Sequence, residues 1–354
     1  MSGFSFSFSG EDIEDNSISD PDPDVSQHSK YAVETGTLRR PPTSAFPIAG
    51  QAQLPPHSHI LEEMLQSLPS KIAYSTLIVK LDDGTQLSIP RRELWDVRVQ
   101  LMAEDDDEGL TNLGKDDVRT GVYEGGFKSW ESSVDVVKVL HGRREEVLQY
   151  PGRFLELGCG TALPSLAVFQ WLLEQSKERP AGGLEIGLAD YNPTVLQLVT
   201  LPNLLLSWAQ VKRKDSWEAE GEVEIDADLL EKFFSSLKSH DIRLLFLSGA
   251  WSPEFVRLAI QTMRSDPARL TILGAETIYS PVALRSFAET LMSLLDKTPA
   301  GDKIAFIAAK KVYFGVGGSI EDFCDSVRAK GAVVKQIREE SDGVRRAVVE
   351  IKSK

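Results

Sequence analysis

The chain has only two cysteines in 354 residues, Cys159 and Cys324. Thiols so few and so far apart exclude a disulfide framework and a cysteine-rich zinc site, and they fit a reducing compartment. No uninterrupted apolar run reaches the ~18 residues that a membrane helix needs. The opening stretch MSGFSFSFSGEDIEDN lacks the basic and long apolar regions of a secretory signal, so the expectation is a protein neither secreted nor membrane-spanning. Basic clusters are scarce as well, for no run of five basic residues occurs, the formal net charge is −14 and the pI is near 5.0. Direct binding to nucleic acid requires clustered Lys and Arg and is not expected. There is no G-x-x-x-x-G-K-(S/T) loop and no G-x-S-x-G elbow, which argues against nucleoside triphosphatases and serine hydrolases. His57 and His59 have no third candidate ligand nearby, so no metal site is expected.

What is present is an ordinary globular composition, 42% apolar and 26% charged, long enough for one large domain with an appendage. Residues 1–60 hold eight acids against Lys30, Arg39 and Arg40 and few large apolar groups. They read as a disordered acidic tail, because such a segment cannot bury enough surface to offset its ordering entropy. The alternation of Phe4, Phe6 and Phe8 is compatible with a short strand or a docking motif, and the disordered end is the plainer reading. Residues 61–120 read as a small N-terminal cap and an acidic linker. The cap comprises a helix to Leu68, extended pieces from Ile72 to Leu81 and up to Ile89 around Asp82-Asp83-Gly84, and a helix from Arg92 to Ala103. Glu104 to Gly109 is read as a solvated break, although acids beside a cleft also attract basic partners.

Residues 121–354 alternate strand and helix. Strands are expected at Arg153–Leu157, Leu184–Asp190, Arg243–Leu247, Arg269–Ala275 and Lys303–Ala309, each followed by a helix, which implies a parallel sheet covered on both faces. Two β-rich runs, Ala332–Arg338 and Val344–Ile351, then predict a terminal antiparallel hairpin. The stretch from Gln210 to His240 reads as an insertion carrying a surface helix.

The first strand runs into Glu156-Leu157-Gly158-Cys159-Gly160. Two close glycines at a strand end let the backbone approach a nucleoside-type ligand. The third glycine of a dinucleotide fingerprint is replaced by Leu163, and the acid Glu156 suits a cationic ligand better than a pyrophosphate. S-adenosylmethionine carries a sulfonium, an ammonium and no phosphate. Asp190, ending the second strand, suits two ribose hydroxyls; the competing reading is an acid at the start of the helix opened by Asn192-Pro193.

Five βα units followed by a hairpin resemble an α/β fold, the class I (Rossmann-like) seven-stranded S-adenosylmethionine-dependent methyltransferases, over about Gly121 to Ile351. Glu276-Thr277-Ile278-Tyr279 matches an (Asp/Glu)-x-x-Tyr motif of enzymes that methylate protein side chains. Gly125 to Glu131, Asp190-Tyr191-Asn192, Leu201-Pro202-Asn203, Gly249-Ala250-Trp251 and Tyr313 to Gly318 together resemble the protein-histidine methyltransferases that modify ribosomal proteins.

The resemblance implies that Ser129, Trp130, Glu131, Ser132, Ser133, Glu156, Gly158, Gly160, Asp190, Tyr191, Asn192, Gly249, Ala250, Trp251 and Ala275 form the S-adenosylmethionine site. Trp251 would lie against the adenine, unless it is simply a core indole at a strand end. Ala250 departs from the family's acid at that position, which leaves adenine recognition to backbone groups. Glu276 and Tyr279, with the Tyr313 to Gly318 loop, would form the acceptor slot. The implied client is a basic protein, the third large-subunit ribosomal protein, methylated at the tele nitrogen of a histidine by a monomer working in cytoplasm and nucleus. A lysine methyltransferase on the same scaffold, a non-catalytic ribosome-assembly binder and a nicotinamide oxidoreductase are the competing readings.

Overall fold

The computed structural model describes residues 53–103, 118–119, 123–124, 126–149, 152–175, 183–264, 268–299, 301–313 and 318–353. The expected tail as far as residue 52, the run from Glu104 to Gly109 and the loop residues Phe314 to Gly317 lie outside these.

The cap begins with β1 (His57–His59) and α1 (Leu61–Gln66), then the pair β2 (Lys71–Lys80) and β3 (Gln86–Arg92), and α2 (Leu94–Ala103). The short strands β4 (Val118–Arg119) and β5 (Tyr123–Glu124) pair with each other. Helices α3 (Glu131–Gly142) and α4 (Arg144–Gln149) lead into β6 (Gly152–Leu157), α5 (Leu163–Glu174) and β7 (Leu184–Asp190). One turn of helix, α6 (Pro193–Val195), continues through a π-helical segment, Leu196–Thr200, into α7 (Leu201–Lys212). Next come β8 (Glu220–Glu224), α8 (Ala227–Ser239), β9 (Ile242–Ser248) and α9 (Pro253–Thr262). The chain ends with β10 (Arg269–Ala275), α10 (Pro281–Lys297), β11 (Lys303–Lys310), α11 (Ile320–Ala329), β12 (Val333–Glu340) and β13 (Arg346–Lys352).

The main sheet has the order β1-β9-β7-β6-β10-β11-β13-β12. From β9 to β11 the neighbours are parallel, while β13 runs antiparallel to both β11 and β12. The expected seven-stranded sheet with its terminal hairpin is therefore present. The parallel strands read as apolar runs because both faces are covered: every residue of β6 is buried. One apolar cluster joins α3, α5, α7 and α8 to one face, and a second joins α9, α10 and α11 to the other. The stretch Pro193–Lys212 is long and apolar enough to cross a membrane by length and composition alone, and 78% of its most apolar window is buried inside the fold.

Two expectations are corrected. His57–His59, assigned above to the tail, adds an eighth strand antiparallel to β9, with His59 opposite Phe246. The insertion from Gln210 to His240 holds more than a helix: β8 pairs with β2, Ile72 opposite Val223, and Trp217 stacks on Tyr74 at 4.2 Å between ring centroids. That three-stranded sheet fastens the cap to the larger domain.

Candidate active site

The carboxyl ends of β6, β7, β9 and β10 meet at one edge of the sheet, where ligands of open α/β sheets collect. Gly158 and Gly160 have φ of 65° and 50°, the left-handed backbone that glycine adopts without a steric penalty. A methyl group at Gly158 would come within 2.8 Å of Thr277 Cγ2 and 3.6 Å of Trp251 Cζ2. The bare glycine thus lets the ends of β6 and β10 and the Trp251 indole pack this closely together.

Asp190 ends β7 beside these glycines. Its Oδ2 accepts from the Gly160 N–H at 3.0 Å and its Oδ1 from the Asn192 N–H at 3.1 Å. Enclosure raises its pKa to about 6, against the pull of those amide donors. Asn192 itself caps the next helix, accepting from the Thr194 N–H at 2.9 Å. Trp251 is half-buried and packs edge-on against Phe287, with centroids 5.2 Å apart. Gly249 and Ala250 are buried beneath a strap that sequence reading missed. Leu54 donates its N–H to the Tyr191 hydroxyl at 2.9 Å and accepts from the Ala250 N–H at 2.9 Å. A Cβ on Gly249 would sit 2.5 Å from the Pro55 carbonyl oxygen. The strap's Pro-rich, weakly apolar sequence carried no periodic signal.

Of the residues from 129 to 133, Trp130 and Glu131 are half-buried, while Ser129, Ser132 and Ser133 point into the protein. Ser129 Oγ meets Thr161 Oγ1 at 3.0 Å, Ser133 Oγ donates to the Trp130 carbonyl at 2.6 Å, and Ser132 Oγ donates to Glu276. Glu156 departs from its expected role. It is 2% exposed, and its Oε2 accepts from the N–H and the hydroxyl of Ser165, at 3.0 and 2.5 Å, in the first turn of α5. Burial lifts its pKa to about 8, so near neutral pH it is largely protonated and anchors the glycine loop to the helix instead of facing a cation.

Glu276 follows β10 in a left-handed backbone, φ 55°, rare for a residue with a side chain. Its Oε1 accepts from Ser132 and its Oε2 from the Tyr313 hydroxyl at 2.7 Å. Burial raises its pKa, while both hydroxyls and the charges of Lys310 and Arg346 pull it back down. Tyr313 in turn accepts from the Lys310 N–H at 3.3 Å, and Lys310 Nζ sits 5.8 Å from the Trp130 ring centroid. Tyr279 is half-buried and makes no side-chain hydrogen bond among the described residues. Glu276, Trp130 and Tyr313 therefore gather at one place; Tyr279 stands at its edge as part of the turn into α10. Ala275, half-buried at the end of β10, lies between this place and the glycine loop in the sheet's order of strand ends.

The donor set matches S-adenosylmethionine. The Gly160 amide, which a dinucleotide fold would aim at a pyrophosphate, is committed to Asp190. Beside the glycine loop stand the Asp190 carboxylate and the Trp251 indole face, which suit a ribose and an adenine. Among the described residues no group of three His, Cys, Asp or Glu is arranged to hold a metal ion.

No family model matches the chain. Its sequence is 33% identical to Histidine protein methyltransferase 1 of Saccharomyces cerevisiae, over 90% of this chain and 89% of that one. It is 39% identical to Histidine protein methyltransferase 1 of Schizosaccharomyces pombe, over 75% of each, and 31% identical to the Bos taurus homolog, over 66% of this chain and 57% of that one. Among solved structures, it is similar to magnesium protoporphyrin IX methyltransferase from Synechocystis with bound S-adenosylmethionine, at 8% identity, 63% and 79% coverage and a TM-score of 0.34. It is also similar to precorrin-6y C5,15-methyltransferase of Geobacter metallireducens, at 12% identity, 63% and 88% coverage and a TM-score of 0.33.

Proposed function

The chain belongs to the histidine protein methyltransferase family, and on that premise we propose that it methylates the tele nitrogen, Nε2, of a histidine in the third large-subunit ribosomal protein. It is a methyltransferase, its methyl donor is S-adenosylmethionine, and its acceptor is a protein.

When bound, S-adenosylmethionine supplies an electrophilic methyl group on a sulfonium. Asp190 holds the ribose end, Trp251 offers a flat apolar face, and the Gly158 backbone allows close approach. A histidine side chain near its ordinary pKa is largely neutral at pH 7, so its Nε2 lone pair is ready without a strong base. What it needs is orientation. Glu276 carries this reading: each carboxylate oxygen receives one hydroxyl donor and keeps a lone pair for the acceptor's Nδ1–H. That hydrogen bond fixes the tautomer that exposes Nε2 and strengthens as the ring becomes imidazolium. Methylation at Nε2 would leave the ring an imidazolium, whose Nδ1 proton Glu276 would hold until it passes to solvent. Fixing two partners in line can supply up to about 7 to 11 kcal/mol of a barrier.

A net charge of −14 suits a strongly basic client such as a ribosomal protein. A monomer serving cytoplasm and nucleus, with no direct nucleic-acid contact and no membrane attachment, belongs to the same proposal. The test is amino-acid analysis of total protein labelled in vitro with methyl-labelled S-adenosylmethionine. Methylhistidine in the third large-subunit ribosomal protein is expected; label recovered as methyllysine, or no transfer, overturns the reading.

A further inference from the structure

We infer that Lys310, at the end of β11 beside the residues that hold Glu276, determines acceptor selectivity: its ammonium admits a neutral imidazole beside Glu276 and repels a protonated lysine side chain. The inference rests on the histidine reading above and adds to it the residue that enforces the choice.

The observation behind it is an uneven pairing of charges around Glu276. Lys310 ends β11, directly opposite Arg346 on β13. Arg346 is neutralised by α3, through Asp135 at 2.8 Å and Glu131 at 2.5 Å. On β12, Glu339 takes Lys311 at 2.8 Å and Glu340 takes Lys138 at 3.4 Å. Lys310 has no carboxylate within ion-pair distance among the described residues. Its ammonium lies instead over Trp130, the residue that opens the segment whose Ser132 holds Glu276. Its own backbone amide supports Tyr313, which holds the other Glu276 oxygen. One positive charge without an ion pair among the described residues is therefore built onto the frame around Glu276, where it also acts on that carboxylate.

A charge placed beside a site in this way is how sites reject a competitor of like sign. A neutral imidazole pays little to approach it. A lysine acceptor arrives as a cation and must also lose a proton before it can attack, and a neighbouring ammonium opposes the first step. The same ammonium lowers the pKa of a bound imidazole, so the neutral nucleophile persists to lower pH. Aromatic contact keeps the charge in place without cancelling it.

The experiment compares wild type with Lys310→Met, which keeps the length of the stem and removes the charge, and with Lys310→Arg, which restores charge. Two peptides identical except for a histidine or a lysine acceptor serve as substrates. In Lys310→Met the lysine-to-histidine ratio of kcat/KM should rise about tenfold or more, the scale of a like-charge contact in a partly enclosed site. The acid limb of kcat on the histidine peptide should move to higher pH, and Lys310→Arg should restore both. Equilibrium binding of the two peptides to the S-adenosylhomocysteine complex gives a readout without turnover, with tighter lysine-peptide binding expected in Lys310→Met. A wild type that takes histidine with an unchanged ratio and acid limb in Lys310→Met sinks the inference and leaves the proposed function standing. A wild type that prefers the lysine peptide overturns both.

Discussion

The Tyr313 hydroxyl donates a 2.7 Å hydrogen bond to Glu276 Oε2, joining the segment after β11 to the end of β10. Burial raises the Tyr313 pKa and the adjacent carboxylate raises it further, so the phenol stays a donor throughout the working pH range. With Ser132 on the other oxygen, the carboxylate is held in one rotation.

Tyr313→Phe removes that donor without changing shape. A hydrogen bond to a charged group contributes about 1.5 to 3 kcal/mol, so kcat should fall about ten- to a hundredfold. Because the lost donor favoured the ionised form, the Glu276 pKa rises further, and the acid limb of the kcat profile moves to higher pH. S-adenosylmethionine affinity, measured by calorimetry, should stay unchanged. A variant that loses cofactor binding and turnover together would show Tyr313 to be only structural.

Asp190→Asn should weaken S-adenosylmethionine binding by about 1 to 3 kcal/mol, since a neutral amide replaces the acceptor of two ribose hydroxyls. The wild-type pKa of about 6 in the free enzyme adds a pH signature. Below pH 6 the free enzyme must lose a proton to bind, so affinity should decline as pH falls through that value, while the Asn variant stays flat. Titrations at several pH values check this; a wild-type affinity independent of pH between 5 and 7 would remove the carboxylate from the ribose role.

Much of this site was legible in the sequence because its chemistry sits at strand ends. The apolar runs of β6, β7 and β10 stop at Gly158, Asp190 and Glu276, and a parallel sheet brings such ends together. What stayed hidden depends on partners distant in sequence. Nothing in Pro55-Pro56-His57 announces a strand, because its pairing partner on β9 lies some 190 residues away. Glu156 reads in the sequence as a ligand for a cation, but Ser165, in the first turn of α5, holds it inside the fold. Ser132 lies in the first turn of α3, and only the left-handed turn at Glu276 brings the carboxylate within its reach.

The strap gives a third prediction. Deleting residues 1–52 leaves the Leu54 bonds in place and should leave cofactor affinity intact. Deleting residues 1–59 removes both Leu54 bonds and strand β1, freeing the backbone of Gly249 and Ala250 beside Trp251. Two backbone-type bonds at about 1 kcal/mol each correspond to roughly a tenfold or greater loss of cofactor affinity. Calorimetry on the two truncations decides it, and equal affinities would show that the strap only covers the sheet edge.

Glu156 supplies a stability prediction whose sign follows from its environment. Its pKa is near 4.5 in the unfolded chain and about 8 in the fold, so the folded state binds a proton that the unfolded state has released. Between those values stability must fall as pH rises, by at most about 1.4 kcal/mol per pH unit for one proton. Below pH 4.5 both states are protonated and the slope vanishes. Asp190 adds a similar slope only up to about pH 6, so pH 6 to 8 is the window in which Glu156 is read best. Glu156→Gln keeps an oxygen acceptor for the Ser165 N–H and hydroxyl and has no proton to lose. Urea unfolding of the variant should therefore lose less stability than wild type between pH 6 and 8, and the difference between the two curves isolates this residue from Glu185 and Glu276, whose pKa values burial also raises. Parallel curves would mean that Glu156 is ionised in the fold, and the carboxylate would then return as a candidate partner for the cofactor's positive charge.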